Sequence, residues 1–280
     1  MAQMLSYDFM QRALLAALLV GCAAPLVGVF LVQRRLSLIG DGMGHVALAG
    51  VAIGVLTGQQ PVLTALVVAV VCAVAIELVR AAGRTSGDAA LAIMFYGGIA
   101  LGVLLMSRAP SGASALTAYL FGAITTTTTT DLAAFAVLAA VVLTTTLLLR
   151  PRLFAVANDE EYCKAVGLRV TALNLTLAIL TAVTVVLSMR VVGLLLISAL
   201  MIVPNATSQL VARSFRSGMV IATVLGIACA LGGVTGSYYL NTPSGASIVV
   251  LAVGVFAVVA SVTFVRDWVR GNGSARRASG

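Results

Sequence analysis

Charge is what this sequence has least of. Asp, Glu, Lys and Arg together make up 9% of its 280 residues, against roughly 25% in an ordinary soluble domain. A chain so poor in charge cannot cover itself with polar surface, which excludes a water-soluble globule. Cysteine is equally sparse. Cys22, Cys72, Cys163 and Cys229 lie far apart, three of them in apolar runs, and no C-x-x-C pair occurs. Neither a disulfide framework nor a thiolate metal cluster follows. The sequence also lacks a G-x-x-x-x-G-K-[ST] phosphate loop and has no polar stretch longer than about 20 residues. It is therefore not expected to be an enzyme, and any ATP hydrolysis must be supplied by another polypeptide. An intramembrane protease would need two intramembrane aspartates or an H-E-x-x-H helix, and neither is present.

Apolar sequence fills the space. Hydrophobic residues reach 61%, in runs recurring from Leu14 to Val265, each near the ~20 residues that span hydrocarbon as a helix. The expected fold is an all-α membrane protein, a polytopic bundle of eight or nine transmembrane helices. Candidate spans are 13–32, 40–57, 62–80, 88–106, 131–149, 171–189, 191–208, 218–240 and 245–265. The span at 191–208 is the doubtful one, because Pro204 and Asn205 interrupt it near its end; a broken helix facing a cavity is the alternative. Residues 116–127 are too short to cross and are expected to form a re-entrant or interfacial half-helix. Leu19-Val20-Gly21-Cys22 has the look of a lipoprotein cleavage site, but the apolar run continues past it to Val32.

The net charge of +8 does not point to nucleic acid, because the arginines sit in short connections rather than on one amphipathic face. They read as topology determinants. Nine crossings place Arg34 and Arg35, Arg80 and Arg84, the Arg150–Arg169 stretch, Arg213 and Arg216, and the tail arginines on the cytoplasmic side. The N-terminus is then outside and the C-terminus inside. A transmembrane domain over 1–270 and a disordered cytoplasmic tail over 271–280 are expected. The Thr125–Thr130 run is low in complexity and receives no function.

The longest polar interruption, Arg150 to Arg169, contains Asn158-Asp159-Glu160-Glu161-Tyr162-Cys163-Lys164-Ala165-Val166-Gly167. Asn158 or Asp159 can cap a short helix there, the acids suit its positive end, and Gly167 can take the left-handed stop. Such a cytoplasmic helix, at about 155–168, is a natural handle for an ATPase partner; an interfacial helix lying on the lipid is the plainer reading.

The one histidine, His45, lies four residues after Asp41 at the start of an apolar span. On a helix this spacing puts both side chains on one face, where carboxylate and imidazole can converge on a divalent cation. Alternatively, Asp41 caps the helix and a neighbouring helix satisfies His45. Ionisable groups inside a membrane are costly, which favours a functional role. Zinc prefers four ligands and manganese accepts six, so water, backbone or a second copy of the chain must supply the rest. Met43, Met94 and Met201 are possible soft ligands, although packing explains them as well.

The run Arg34-Arg35-Leu36-Ser37-Leu38-Ile39-Gly40-Asp41-Gly42-Met43-Gly44-His45-Val46-Ala47-Leu48-Ala49-Gly50 resembles the second-helix signature of permease subunits from bacterial ABC importers of zinc and manganese. Asp88–Met106 is similar to that family's acidic-capped fourth helix, Glu160–Gly167 to its coupling helix, and Val192–Pro204 to its late proline-ended helix. Asn205-Ala206 departs from the two alanines that commonly follow. The resemblance implies metal coordination by Asp41 and His45 and contact with the ATPase through Glu160, Glu161 and Gly167. It implies transport of Zn2+, with Mn2+ next, and no permanently bound cofactor. Its implied partners are a second copy of the chain, a cytoplasmic ATP-binding subunit and an extracellular or periplasmic metal-binding protein, in a bacterial inner membrane. An ion-coupled secondary metal transporter is the rival; no inverted repeat is evident to favour it.

Overall fold

A computed structural model of the chain describes residues 7–82, 87–109, 117, 119–122 and 128–278. Ten helices and no strand are found among them: α1 (Asp8–Gln33), α2 (Ile39–Thr57), α3 (Pro61–Ala81), α4 (Gly87–Met106), α5 (Thr129–Asn158), α6 (Glu160–Ala165), α7 (Val170–Ser188), α8 (Leu194–Val211), α9 (Phe215–Leu240) and α10 (Ser244–Ala278). All-helical structure is what lipid permits, because hydrocarbon offers no partner for a free N–H or C=O. Most of the expected half-helix at 116–127, along with Arg84, Thr125–Thr127 and the Asp88 side chain, lies outside the described residues.

Eight helices are long and apolar enough to cross a membrane, namely all but α6 and α8. Their burial separates an inner group from an outer one. The best spanning window is 78% buried in α2 and 72% in α1, but only 22% in α3 and 17% in α10. The outer helices therefore turn valines and leucines such as Val67, Val71, Val250 and Val262 outward, where the solvent is acyl chain.

The ninth expected span, α8, runs through the middle of this bundle. It starts at Gly193, where Ser244 at the head of α10 donates to the Val191 carbonyl at 3.3 Å. It ends just before Phe215, whose ring lies 5.6 Å from Phe30 and 4.4 Å from Phe154, at the far ends of α1 and α5. The helix is continuous through Pro204 and is not the broken helix considered above. Beside the proline, the Asn205 amide donates to the Met201 carbonyl at 2.7 Å and to the Pro25 carbonyl of α1 at 2.9 Å, and Ser208 donates to the Asn205 carbonyl at 2.8 Å.

With α8 included, the described residues traverse the bundle nine times. Arg34, Arg80, Arg152, Lys164, Arg169, Arg213 and Arg266 all fall at one end, which the positive-inside rule assigns to the cytoplasm. At the opposite end Arg190, before α8, pairs with Asp131 of α5 at 2.6 Å. One threonine of the low-complexity run has a structural task there. Thr128 caps α5 in a capping box with Asp131.

Sequence placed the end of α5 near 149, yet the helix continues through Pro151 to Asn158. Leu153 and Val156 stay buried beyond the proline, so the apolar face that holds the helix against its neighbours persists past the expected polar boundary. The α6 helix then forms as anticipated. Asp159 caps it by accepting from the Tyr162 N–H at 2.8 Å, and Gly167 stops it with φ +86.

Two glycines fix how the outer helices meet α2. A Cβ on Gly50 would lie 2.5 Å from the Ala65 Cα of α3, and one on Gly98 of α4 would lie 2.7 Å from the His45 carbonyl carbon. Backbone therefore rests on backbone on both flanks of the helix that carries Asp41 and His45.

Candidate metal site

Asp41 is the third residue of α2 and not its cap. The cap position falls on Leu38, which makes no side-chain capping bond. Free N–H groups of the first turn therefore lend positive potential to the region of the carboxylate. One turn on, His45 is buried, 9% exposed, and its ring meets Phe95 of α4 edge-on with centroids 4.4 Å apart.

The imidazole Nε2 and the Asp41 Oδ2 are 3.9 Å apart. That is too long for a hydrogen bond. Two donors each about 2.1 Å from a common ion lie about 3.0 Å apart at a right angle and about 3.4 Å apart at a tetrahedral one, so the gap is wider than a closed site needs. The pair shares one face and can accept one cation between them once the side chains close by about 0.5–0.9 Å. Asp41 Oδ1 accepts a hydrogen bond from Ser198 of α8 at 3.3 Å, a contact that sequence reasoning missed. Ser198 is the one hydroxyl between Leu194 and Val203, and that isolation was the signal available.

Asp41 also opens onto a cavity of about 320 Å³ between α2 and α4, lined by Leu38, Leu91, Ala92, Phe95 and Tyr96. Its side chain is 29% exposed, against 11% for His45. Access to the pair is therefore from the carboxylate side. No group of three His, Cys, Asp or Glu side chains converges among the described residues, so two donors and their oxygen neighbours are what this chain brings together here. Met94 packs its methyl group against Gly42, and the Met201 sulfur lies 3.6 Å from where a Gly40 Cβ would be. Both methionines are buried and fill the space beside the glycines that flank Asp41.

The residues assigned to ATPase contact occupy a separate place. Glu160 turns toward the bundle and pairs with Arg34 at 3.0 Å. Glu161 and Tyr162 of α6, and Val166 and Gly167 just after it, are exposed. The Glu160 carboxyl, pushed up by burial, is pulled further down by the Lys164 hydrogen bond and by the charges of Arg34, Lys164 and Arg80, and ends below its ordinary value.

The chain matches known proteins along nearly its full length. The "manganese transport system membrane protein MntC" of Halalkalibacterium halodurans is 32% identical over 91% of this chain and 88% of the relative. The "chelated iron transport system membrane protein YfeD" of Yersinia pestis is 30% identical over 92% and 86%. Among solved structures, PsaBC from Streptococcus pneumoniae in complex with Fab superposes with a TM-score of 0.81 at 30% identity, covering 91% of this chain and 92% of the other. The model of the ABC 3 transport family matches residues 6–263, and the chain belongs to that family as a multi-pass membrane permease.

Proposed function

We propose that this chain is the pore-forming subunit of an ATP-driven importer of a divalent first-row metal ion, with Asp41 and His45 as ligands along the path. The observation that carries the reading is the 3.9 Å gap between His45 Nε2 and Asp41 Oδ2, partly buried and opening onto a cavity. Manganese is the preferred cargo, ahead of the zinc expected from sequence. The donor beside the imidazole is the Asp41 carboxylate, which Ser198 orients, and with water oxygens in the open positions the set is oxygen-rich and suits manganese. Relatives named for manganese and iron support the same order.

Two donors are too few for any of these ions, so the remaining positions fall to water or to a second copy of the chain. In this reading the domain runs over 1–270, with a cytoplasmic tail over 271–280. The segment at about 155–168 meets a cytoplasmic ATP-binding subunit through Glu161 and Gly167, with Glu160 behind them. A metal-binding protein delivers the ion at the outer face, and the setting is a bacterial inner membrane.

The test is uptake of Mn2+, Fe2+ and Zn2+ into proteoliposomes holding this chain with its co-purified ATPase, with and without ATP. ATP-dependent uptake that His45→Ala and Asp41→Ala abolish, with the complex still assembled, is the expected result. Uptake indifferent to ATP would move the chain to the ion-coupled secondary transporters, and uptake untouched by both substitutions would remove the ligand assignment.

A further inference from the structure

Arg34 stands where a charge is costly. It caps the C-terminus of α1 with a side chain only 7% exposed. Its Nη2 donates to Glu160 Oε2 at 3.0 Å, and the other Glu160 oxygen accepts from Lys164 Nζ at 3.0 Å. One residue earlier, Gln33 Nε2 donates to Asn158 Oδ1 at 3.0 Å. Two adjacent side chains at the end of α1 thus hold both ends of the short junction between α5 and α6. On α3, Glu77 and Arg80 form their own pair at 2.9 Å, close enough for both charges to act on Arg34. Burial and Arg80 lower the guanidinium from its ordinary value, while Glu160 and Glu77 oppose that lowering.

The chain between Arg34 and Asp41 has little slack. Arg35 takes the left-handed conformation at φ +58. The Leu36 N–H bonds the Leu31 carbonyl at 2.9 Å, and the Arg35 N–H bonds the Val32 carbonyl at 3.1 Å, which closes α1 in a Schellman turn. The Ile39 N–H then bonds Leu36 at 3.1 Å and the Gly42 N–H bonds Leu38 at 3.0 Å, so α2 begins without a free linker. Displacing Arg34 displaces the first turn of α2, which holds Asp41.

We propose that Arg34 is a positioning residue that carries movement of α6 to the Asp41–His45 pair: its bond to Glu160 makes α6 and the head of α2 move together. This inference rests on the importer reading above. It gives the two acids at the start of α6 different tasks, with Glu161 facing outward to the ATPase and Glu160 facing inward to the permease.

The test measures Mn2+ taken up per ATP hydrolysed in proteoliposomes of the permease with its co-purified ATPase. Arg34→Gln and Glu160→Gln should each lower that ratio by about tenfold, within the range by which residues remote from both sites alter coupling. The ATPase should stay bound in both variants. Arg34→Lys should restore most of the ratio, because the ion pair is made through one nitrogen and a lysine can reach it. An undiminished ratio in both glutamine variants would overturn the inference, and loss of the ATPase from Glu160→Gln would make that residue a docking contact instead. If Arg34→Gln does not fold, Glu160→Gln decides, since its carboxylate is partly exposed. A native protein without ATP-dependent uptake is a distinct outcome, and it removes the importer reading itself.

Discussion

Ser198 of α8 donates a hydrogen bond to Asp41 of α2 across 157 residues of sequence, and it leaves the second carboxylate oxygen facing His45. The carboxylate is therefore oriented before any ion arrives. Removing the hydroxyl should loosen that orientation without deleting a ligand. A hydrogen bond to a charged group contributes up to about 1.5–3 kcal/mol, and this one is long, so Ser198→Ala should raise the Mn2+ concentration for half-maximal uptake by roughly three- to tenfold. Maximal uptake should change little. A concentration series in proteoliposomes decides it, and an unshifted midpoint would leave Ser198 as packing alone.

Gly98 and Gly97 are adjacent on α4 and should behave oppositely. A Cβ on Gly98 meets the His45 carbonyl carbon at 2.7 Å, whereas one on Gly97 meets nothing within 4 Å. Gly98→Ala must push α4 away from α2, at a cost of about 1–3 kcal/mol for overpacking, and it shifts His45 against Phe95. Gly97→Ala should be neutral in both thermal stability and uptake. Equal behaviour of the two variants in detergent melting curves would show that α4 does not rest on His45 as described.

Asn205 tests how firmly α8 is tied to α1. The amide bonds two carbonyls, one on α1 and one in its own helix, but its Oδ1 is buried without a hydrogen-bond partner. Asn205→Ala loses two donations and also removes an orphaned acceptor, effects of opposite sign. The expected net destabilisation is small, about 1 kcal/mol, in line with interhelical hydrogen bonds in membranes. A loss of several kcal/mol in chemical unfolding would mean that the amide clamps α1 to α8 more firmly than its geometry implies.

Nearly all of the helical architecture was legible in the sequence, for a physical reason. Hydrocarbon demands long apolar helices, so span length and composition report directly on structure. Asp41 and His45 were legible for the same reason, since charge inside an apolar run stands out. What escaped were relationships between distant residues. Arg34 looked like a topology signal and Glu160 like an ATPase contact, because a one-dimensional pattern does not show that the end of α1 lies beside α6. The bond from Asn205 to the Pro25 carbonyl was hidden likewise, since it crosses from α8 to α1. The length of α5 was misjudged because burial of Leu153 and Val156 comes from neighbours that the local sequence does not name.

The Arg34–Glu160 pair gives the fold a pH dependence whose sign can be worked out. Burial alone would raise the Glu160 carboxyl, but the Lys164 hydrogen bond and the positive charges of Arg34, Lys164 and Arg80 outweigh it, so the folded value lies below the ordinary 4.5. A carboxylate depressed by folding contributes stability that is fully present above its unfolded value and is lost as pH falls through the folded one. Other acids titrate in the same range, so the native protein alone is uninformative and Glu160→Gln is the control. Acidification from neutral pH to below the carboxylate range should lower the melting temperature of the native permease more than that of the variant. The two curves should converge at the acid end, where the side chain at position 160 is neutral in both. Parallel curves across the whole range would mean that the ion pair adds nothing to the fold, and that α6 is held by Gln33, Asn158 and packing alone.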